Sequence, residues 1–475
     1  MPVLAMVASL AAIAAFAFLA LTAPRSDQAA ATGLLVFPLL LAGAVALTGP
    51  AARAETRFDL RSIMVSGFAL RGVGTVLRYS QPVDALVYHQ EGVRIAAHIR
   101  AFDLFPDVGR QIPGTGSIRY VSGVVHVGVF DDMMTAFLVF TCLSFFGSYL
   151  CYRAFTYAVP AGNHRKYALL VFLWPSLLYW PSSIGKEAWM VFGLGIVSWG
   201  VSRVLTAHAA VGLPVVAFGL IVMVLVRPHV ALMAIVGLSA AMLAKPGGTK
   251  GAGRWIGRIL TLALLVVAAL ITVAKTGELL KTDNLGTDSI SSVLDTTVTQ
   301  TDQGGSSFTP HLVHSPLDYP VAFATVWFRP FVTDAKSGGA SQLASIAENL
   351  FLLGLVAGSW RQLRYLPRAL VRVPYVTYAF VYSLVFVYAF AAIGNFGILA
   401  RQRTQGTILL FVVLCLPPLK RTSLRDNARI ETGGGSRSVK SAPLDEVPSQ
   451  DSIAHKPRTR SAARSLAHLG RTSPR

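Results

Sequence analysis

The chain has 475 residues, of which 53% are hydrophobic and only 14% are charged, and its formal net charge is +19. This balance excludes a soluble globular domain, because several apolar segments are long enough to cross a bilayer. The segments are continuous and do not alternate in hydrophobicity, which excludes a transmembrane β-barrel. The composition therefore predicts an all-α, polytopic transmembrane helical bundle of about 11–13 spans.

Apolar segments along the chain define the candidate spans. They lie near residues 2–23, 31–49, 58–77, 133–157, 167–184, 187–205, 210–226, 229–244, 256–274, 343–359, 374–393 and 405–419. The first lacks a basic n-region and is followed at once by the second, so we interpret it as a retained span and not as a signal peptide. The third is the weakest, because Arg61 and Arg71 interrupt it. The segment 117–130 is too short to span and is predicted to be re-entrant or interfacial.

Basic residues in the short loops orient the predicted bundle. If all twelve segments span, the following Lys and Arg residues fall on one side of the membrane: Arg53, Arg57, Arg153, Arg165, Lys166, Arg203, Lys245, Lys250, Arg254, Arg361, Arg364, Arg368 and Arg372. Cytoplasmic loops are enriched in these residues, so the pattern predicts a multi-pass protein of the inner (plasma) membrane with both termini in the cytoplasm. Residues 1–419 then form the bundle, and the basic residues 420–475 form a disordered cytoplasmic tail. The tail either has no specific partner or contacts anionic lipid, and no nucleic-acid partner is expected.

The same topology places several cations on the exoplasmic side, against the orienting rule. The large exoplasmic loops are residues 78–132 and 275–342, and the cations at or near this face include Lys186, Arg227, Arg329, Arg401 and Arg403. Cations at membrane depth need a compensating partner. We therefore expect an anionic ligand at the exoplasmic interface.

Two short corners carry the most informative of these cations. In LVRPHVAL, Pro228 fixes a bend between Arg227 and His229, and Arg227 either binds a ligand or simply extends to the interface. In YWPSSIGKEAW, Lys186 either faces a phosphate or forms a self-neutralising pair with Glu187 at the start of a helix. Both alternatives are open for each corner.

The segment GNFGILARQRTQG adds two arginines just before the last predicted span. On a helix, Arg401 and Arg403 point about 200° apart, so at least one should face the interior of the bundle. Planar guanidinium groups there suit bidentate phosphate binding. The alternative is a charge pair with an interior carboxylate such as Glu348.

The first exoplasmic loop supplies the carboxylates. In QPVDALVYHQEGVRIAAHI, Asp84 lies four residues before Tyr88 and seven before Glu91. One face of a helix could carry all three side chains, with His89 off that face. A carboxylate beside cations is a candidate general base for an acceptor hydroxyl. The alternative is an amphipathic interfacial helix with a solvated polar face.

Other sequence features concern cofactors and loops. The three cysteines lie in or at the ends of apolar segments, so neither a disulfide framework nor a cysteine metal site is expected. The chain has no HExxH, Walker A or GxSxG motif and no paired-Asp motif typical of magnesium–nucleotide sites, so no metal or nucleotide cofactor is expected and ATP-driven transport is disfavoured. Residues 323–340 are predicted to be an interfacial aromatic anchor that includes Arg329, and residues 302–319 a mobile lid.

Three short patches, WPSSIGKEA, WFRPF and GNFGILARQR, carry a resemblance. They resemble bacterial envelope-polysaccharide proteins, namely the multi-spanning glycosyltransferases and repeat-unit polymerases of the broad GT-C type that use polyprenyl-linked sugars. The resemblance covers roughly residues 80–420. It implies a lipid-phosphate or lipid-pyrophosphate sugar donor bound from the outer leaflet, a saccharide acceptor, and transfer without a nucleotide.

The resemblance also implies roles for individual residues. Asp84 or Glu91 would be the base, and the phosphate-binding residues would be Arg227, Arg401 and Arg403, assisted by Lys186. The further site candidates from the loops are Tyr88, His89, Glu187, His229 and Arg329. No metal ligand is predicted among them.

The sequence thus predicts a membrane glycosyltransferase or polysaccharide polymerase of the cell envelope. One alternative is a lipid-linked-sugar flippase or transporter, which should carry polar residues through the full depth of the bundle. The polar residues identified here concentrate at one face, which favours the enzyme. Another alternative is a non-catalytic subunit of an envelope polysaccharide assembly complex.

Overall fold

A computed structural model of the chain describes residues 2–22, 29–206, 208–245, 252–280, 298, 307–334 and 339–417. The predicted tail (420–475) and the first residues of the predicted lid lie outside the described residues. The described part is helical and contains no β-strand, only one isolated antiparallel bridge between Ser307 and Asn395. The prediction of an all-α polytopic bundle is confirmed.

Eighteen α-helices make up the described part of the chain. The first nine are α1 (Pro2–Thr22), α2 (Ala29–Ala54), α3 (Leu60–Tyr79), α4 (Val83–Arg100), α5 (Thr115–Val129), α6 (Met133–Ala158), α7 (His164–Leu173), α8 (Pro175–Tyr179) and α9 (Lys186–Thr206). The others are α10 (Ala209–Val224), α11 (Pro228–Ala244), α12 (Ala252–Leu280), α13 (Tyr319–Phe328), α14 (Ala340–Gly358), α15 (Trp360–Leu363), α16 (Leu366–Arg372), α17 (Pro374–Phe390) and α18 (Phe396–Leu414). Every predicted span overlaps one of these helices.

Six helices in the described ranges are long and apolar enough to cross a membrane. Their apolar parts are Pro2–Thr22, Ala31–Ala54, Leu60–Tyr79, Met133–Ala158, Lys186–Thr206 and Ser341–Gly358. A seventh span results if α16 and α17, which are bent by 118° at their junction, cross as one. Shorter apolar helices cover Ala209–Val224, Pro228–Ala244, Thr261–Ala274 and Tyr319–Phe328.

The predicted span 167–184 is broken in the structure. Helix α7 ends at Leu173, α8 begins at Pro175, and a non-helical corner precedes Lys186 at the start of α9. Proline cannot donate the backbone hydrogen bond and disfavours helical geometry at the residue before it, so the break falls at Trp174. The corner brings Lys186 to the end of the bundle where α3 ends and α4 begins.

The weakest predicted span, α3, is held inside the bundle by polar contacts. Arg71 is fully buried, and its Nη2 donates to Ser148 Oγ of α6 at 2.8 Å. One turn away, the hydroxyls of Thr75 and Thr141 are 2.9 Å apart. The arginine that interrupts the apolar pattern therefore faces a neighbouring helix and not lipid, as expected of a charged residue in a span.

Close packing between α6 and α9 depends on two glycines. A Cβ atom added at Gly195 would lie 2.3 Å from the Gly147 carbonyl oxygen, and one added at Gly147 would lie 2.3 Å from the Val191 carbonyl oxygen. Small residues let helix backbones approach in a membrane bundle. This contact positions α9, which carries Lys186 and Glu187 at its start.

Gly195→Ala is expected to destabilise the protein by about 1–3 kcal/mol, because the new methyl group meets backbone atoms that cannot move independently. The measurement is the thermal melting temperature of the purified protein in detergent. Gly43→Ala is the matched control, since an added Cβ there meets nothing within 4 Å. Equal melting temperatures for the two variants would contradict the packing described for α6 and α9.

Candidate functional site

Four segments bring charged side chains together at one end of the bundle. Arg401 of α18 lies between two carboxylates: its Nη1 donates to Asp84 Oδ2 at 2.7 Å and its Nε to Glu187 Oε1 at 2.8 Å. Arg227, in the turn between α10 and α11, donates from Nη2 to the same Glu187 oxygen at 2.8 Å. Together with Lys186, these side chains form what we call the charged network: Asp84, Lys186, Glu187, Arg227 and Arg401.

Local sequence signals hold the network residues in place. Asn395 caps α18, accepting a hydrogen bond from the Ile398 amide at 3.1 Å, so the arginines begin in the second turn of that helix. Pro228 occupies the first turn of α11 and fixes the bend that presents Arg227. Asp84 lies in the first turn of α4. The position of each of these charged groups is therefore determined by a nearby helix start or turn.

Lys186 and Glu187 do not neutralise each other. Glu187 is 4% exposed and is shared by the two arginines, whereas Lys186 Nζ donates to Thr115 Oγ1 at 2.9 Å. In the part of the chain that the structure describes, Lys186 has no carboxylate within ion-pair distance. Three cations against two carboxylates leave the network with one excess positive charge. The Nη1 atom of Arg227 is also buried without a hydrogen-bond partner among the described residues.

Tyr88 lies beside the network, one helical turn from Asp84. Burial raises the pKa of Tyr88 to about 12, and the negative charges of Asp84 and Glu187 act in the same direction. The phenol therefore stays protonated at neutral pH. It can donate a hydrogen bond but cannot serve as a base.

Glu91 lies apart from the network. One of its oxygens accepts from Arg94 at 3.0 Å, and the other lies 3.7 Å from Arg119 of α5. Along α4 the separation of Asp84 and Glu91 corresponds to about 10 Å of helix. The two predicted base candidates therefore have different environments, and the structure brings Asp84 alone to the cations.

The two predicted histidines occupy different positions. His89 Nδ1 is 3.2 Å from His126 Nε2, and His126 Nδ1 is 2.8 Å from the Phe130 carbonyl oxygen, to which it must donate. Neutral His126 then accepts a hydrogen bond from His89. His229 follows the network turn and packs its ring against Phe390, with the centroids 6.0 Å apart. Neither histidine makes an ion pair in the described ranges.

Arg403 and Arg329 form a second group on the other side of α18. Arg403 Nη1 donates to Asn349 Oδ1 at 2.6 Å and to the Trp327 carbonyl oxygen at 3.1 Å, and Nη2 donates to the Arg329 carbonyl oxygen. The Arg329 side chain pairs with Asp334 at 3.1 Å. The structure therefore separates Arg403 and Arg329 from the charged network.

A cavity of about 460 Å³ adjoins the network. Arg403 and Glu348 line it, together with Trp174, Tyr179 and Trp180. The sequence indicates Glu348 only as a charge partner for an arginine and does not predict the cavity, because the cavity walls come from four separate segments. Among the described residues, no group of three or more His, Cys, Asp or Glu side chains could hold a metal ion.

Arg78 is a cation at this end of the bundle that sequence reasoning missed. Its guanidinium carbon lies 5.4 Å from the ring centroid of Tyr179 and 5.3 Å from that of Trp180. Arg78 directly follows the third predicted span, on the side predicted to be exoplasmic. The orienting rule that selected Lys186 could therefore have found it.

Glu187→Gln is expected to lower the free energy of unfolding by about 3–5 kcal/mol, because it leaves Arg227 buried without a carboxylate. The measurement is thermal melting of the purified protein. Adding Arg227→Gln should recover part of the loss, since the double variant no longer buries that unpaired charge. Asp103→Asn, at an exposed His98 pair, is the carboxylate-to-amide control. A Glu187→Gln protein that melts like the control would contradict the network.

Acid is expected to destabilise the hairpin of α4 and α5. Burial lowers the pKa of His89 and of His126 below the ordinary value of 6.5, so the unfolded chain binds protons first as pH falls. The stabilising contribution of the two neutral histidines is full at pH values above 6.5 and is lost as the pH falls below 6.5. Melting temperatures measured from about pH 7.5 to pH 5 should fall less for His126→Gln than for wild type. Parallel curves for the two proteins would contradict the assignment, and His208→Gln is the control.

Comparisons of the chain with protein-family models, with curated proteins and with solved structures find no match. The resemblance of three short patches to envelope glycosyltransferases therefore stays a prediction. Any assignment of function depends on the charged network and on the cavity beside it.

Proposed function

We propose that the chain is a membrane glycosyltransferase or polysaccharide polymerase that uses a sugar carried on a polyprenyl phosphate or pyrophosphate. The reaction takes place at the exoplasmic face and serves cell-envelope or exopolysaccharide synthesis. The observation that carries this proposal is the charged network, in which three cations surround two carboxylates at one end of a membrane bundle.

The excess charge of the network supports an anionic ligand. One positive charge is unmatched, and Arg227 has a buried donor without a partner among the described residues. A lipid phosphate supplies both a negative charge and acceptor oxygens, and charge-assisted hydrogen bonds to phosphate are among the stronger ones. Ionisable residues inside a membrane bundle are candidates for substrate or ion sites.

In the proposed reaction, an acceptor hydroxyl oxygen forms a bond to the anomeric carbon of the donor sugar. The bond between that carbon and the phosphate oxygen breaks, and its electron pair leaves on the lipid phosphate. Preorganised cations stabilise the negative charge that develops there: Lys186, Arg227 and Arg401. The hydroxyl proton passes to a carboxylate, and Asp84 is better placed than Glu91 because Asp84 contacts Arg401.

The orientation of the bundle belongs to the same proposal. Basic loops on the opposite side favour a plasma-membrane protein with both termini in the cytoplasm, which puts the network at the outer leaflet. The partners are then a polyprenyl-linked sugar, a saccharide acceptor and the lipid bilayer. Other proteins of an envelope polysaccharide assembly complex are further partners in this proposal.

A lipid-linked-sugar flippase is a second candidate, and one observation favours it. Arg71 is fully buried within α3 and has two nitrogens without a partner among the described residues. Polar groups therefore extend into the bundle, as a transport path requires. The two functions differ in their assays, because a transferase forms glycosidic bonds in detergent whereas a flippase needs sealed vesicles.

Lys186→Gln is expected to slow saccharide transfer about 10²–10³-fold, because it removes one preorganised cation from the departing phosphate. The fold should tolerate the change, since a single hydrogen bond to Thr115 holds the Lys186 side chain. Charge reversal of Arg401 or of Arg227 should abolish the product. The measurements are polysaccharide yield in a complemented deletion strain and initial rates with purified protein and a polyprenyl-linked sugar.

Arg364→Glu is the charge-reversal control, because Arg364 is exposed and stacks on Trp360 outside the network. It should leave polysaccharide yield unchanged. Polysaccharide made at wild-type levels by both the Arg401 and the Arg227 charge-reversal variants would overturn the proposal.

A further inference from the structure

The cavity beside the network has walls from four segments of the chain. These are the end of α3, the broken stretch from Trp174 to Trp180, α14 and α18. Its volume of about 460 Å³ lies within the range of small-molecule binding sites. Gln81 on its wall is three residues before Asp84, and Ala400 directly precedes Arg401. The cavity and the network are therefore neighbours that share α18 and the turn between α3 and α4.

The charged side chains that line the cavity have opposite signs, and Arg78, whose guanidinium contacts the Tyr179 and Trp180 rings, does not line it. Of the described residues that line it, two are charged: Arg403 and Glu348, which interact electrostatically. The charged network, in contrast, has one excess positive charge. An anion is therefore favoured at the network, and a ligand without net charge is favoured in the cavity.

The wall also carries many neutral hydrogen-bonding groups. Amides come from Gln81 and Asn349, and hydroxyls come from Ser80, Ser176, Ser341, Ser345 and Thr407. Several of these hydroxyls donate to carbonyls of their own helix, but their oxygens can still accept. A hydrocarbon chain in the cavity would leave the remaining acceptor and donor capacity of these groups unused, at a cost in free energy. The lining therefore disfavours a lipid tail as the occupant.

Arg403 supplies an independent sign of a ligand. It is 6% exposed, and its Nη atoms donate to Asn349, Trp327 and Arg329. Its Nε is buried and has no hydrogen-bond partner among the described residues. Buried donors in folded proteins nearly always have an acceptor, so a ligand oxygen in the cavity would complete this site.

Aromatic rings complete the wall. Trp174 is buried against Phe351 and Phe411, whereas Tyr179 and Trp180 are half-buried and their ring centroids lie 5.0 Å apart. The C–H faces of a pyranose ring pack against aromatic surfaces, while its hydroxyls need amides, hydroxyls and carboxylates around the edge. Both kinds of group meet on this wall.

We propose that the cavity is a binding site for a neutral saccharide. The Tyr179 and Trp180 rings pack against the sugar, Glu348 and Asn349 accept and donate hydrogen bonds at its hydroxyls, and the Arg403 Nε donates to one of its oxygens. The role of the bound saccharide rests on the proposed function: as the acceptor, it would present a hydroxyl toward Asp84. The binding itself does not depend on that role.

The experiment measures the binding of two classes of ligand to the full chain in lipid nanodiscs. Maltose, lactose and mannobiose are the saccharide probes, followed by saturation-transfer NMR, and a polyprenyl phosphate is the anionic probe. Glu348→Gln and Trp180→Leu should weaken binding of the saccharide by at least tenfold and leave polyprenyl phosphate binding unchanged. Lys186→Gln should weaken binding of polyprenyl phosphate by at least tenfold and leave saccharide binding unchanged. Asp103→Asn and Trp360→Leu are the matched controls outside the cavity, and Gln81→Ala replaces any cavity variant that does not fold.

Each outcome separates the two proposals. If no probe saccharide binds wild type, or if the cavity variants bind it as wild type does, the saccharide site is overturned. If the saccharide binds at the cavity but polyprenyl phosphate does not bind wild type, the proposed function fails and the saccharide site stands. A hydrocarbon chain cross-linked to the cavity wall in the native membrane would also overturn the inference.

Discussion

The arrangement of this end of the bundle depends on one buried carboxylate. A single oxygen of Glu187 accepts hydrogen bonds from Arg227 and from Arg401, and Arg401 reaches on to Asp84. These three ion pairs connect the start of α9, the turn between α10 and α11, the second turn of α18 and the start of α4. Because removing one partner of a buried ion pair costs several kcal/mol, the pairing of Glu187 with the two arginines favours this arrangement of the four segments. Their meeting creates the candidate site.

Helix α18 divides the site into two chemical environments. Arg401 faces the charged network, and Arg403, which projects from the other side of the helix, lines the neutral cavity. Backbone carbonyls and an amide satisfy most of the Arg403 donors, whereas carboxylates satisfy Arg401. One helix thus borders both the charged network, where we propose an anion, and the cavity, where we propose a neutral saccharide. A reaction that joins a phosphate-linked sugar to a second saccharide requires both.

Sequence patterns predicted much of this structure, and particular residues explain the remainder. Continuous apolar segments predicted spans that each overlap a helix, and the orienting rule selected five cations at one face, of which the structure brings Lys186, Arg227 and Arg401 together. The orienting rule did not predict which side chains these cations contact. Lys186 contacts Thr115 and not Glu187, and Glu91 contacts Arg94 and Arg119 on the hairpin of α4 and α5. Adjacent residues in sequence point in different directions on a helix, so their pairing depends on elements far away in the chain.

The sequence by itself determined that this is an all-α membrane protein, because hydrophobicity is a property of each segment alone. Only the tertiary structure decided which carboxylate each arginine meets, and that Arg71 turns inward to Ser148. It also decided that four segments enclose a cavity lined by Glu348 and Arg403. Ion pairs and cavities are set by distances between segments, and those distances exist only once the helices pack.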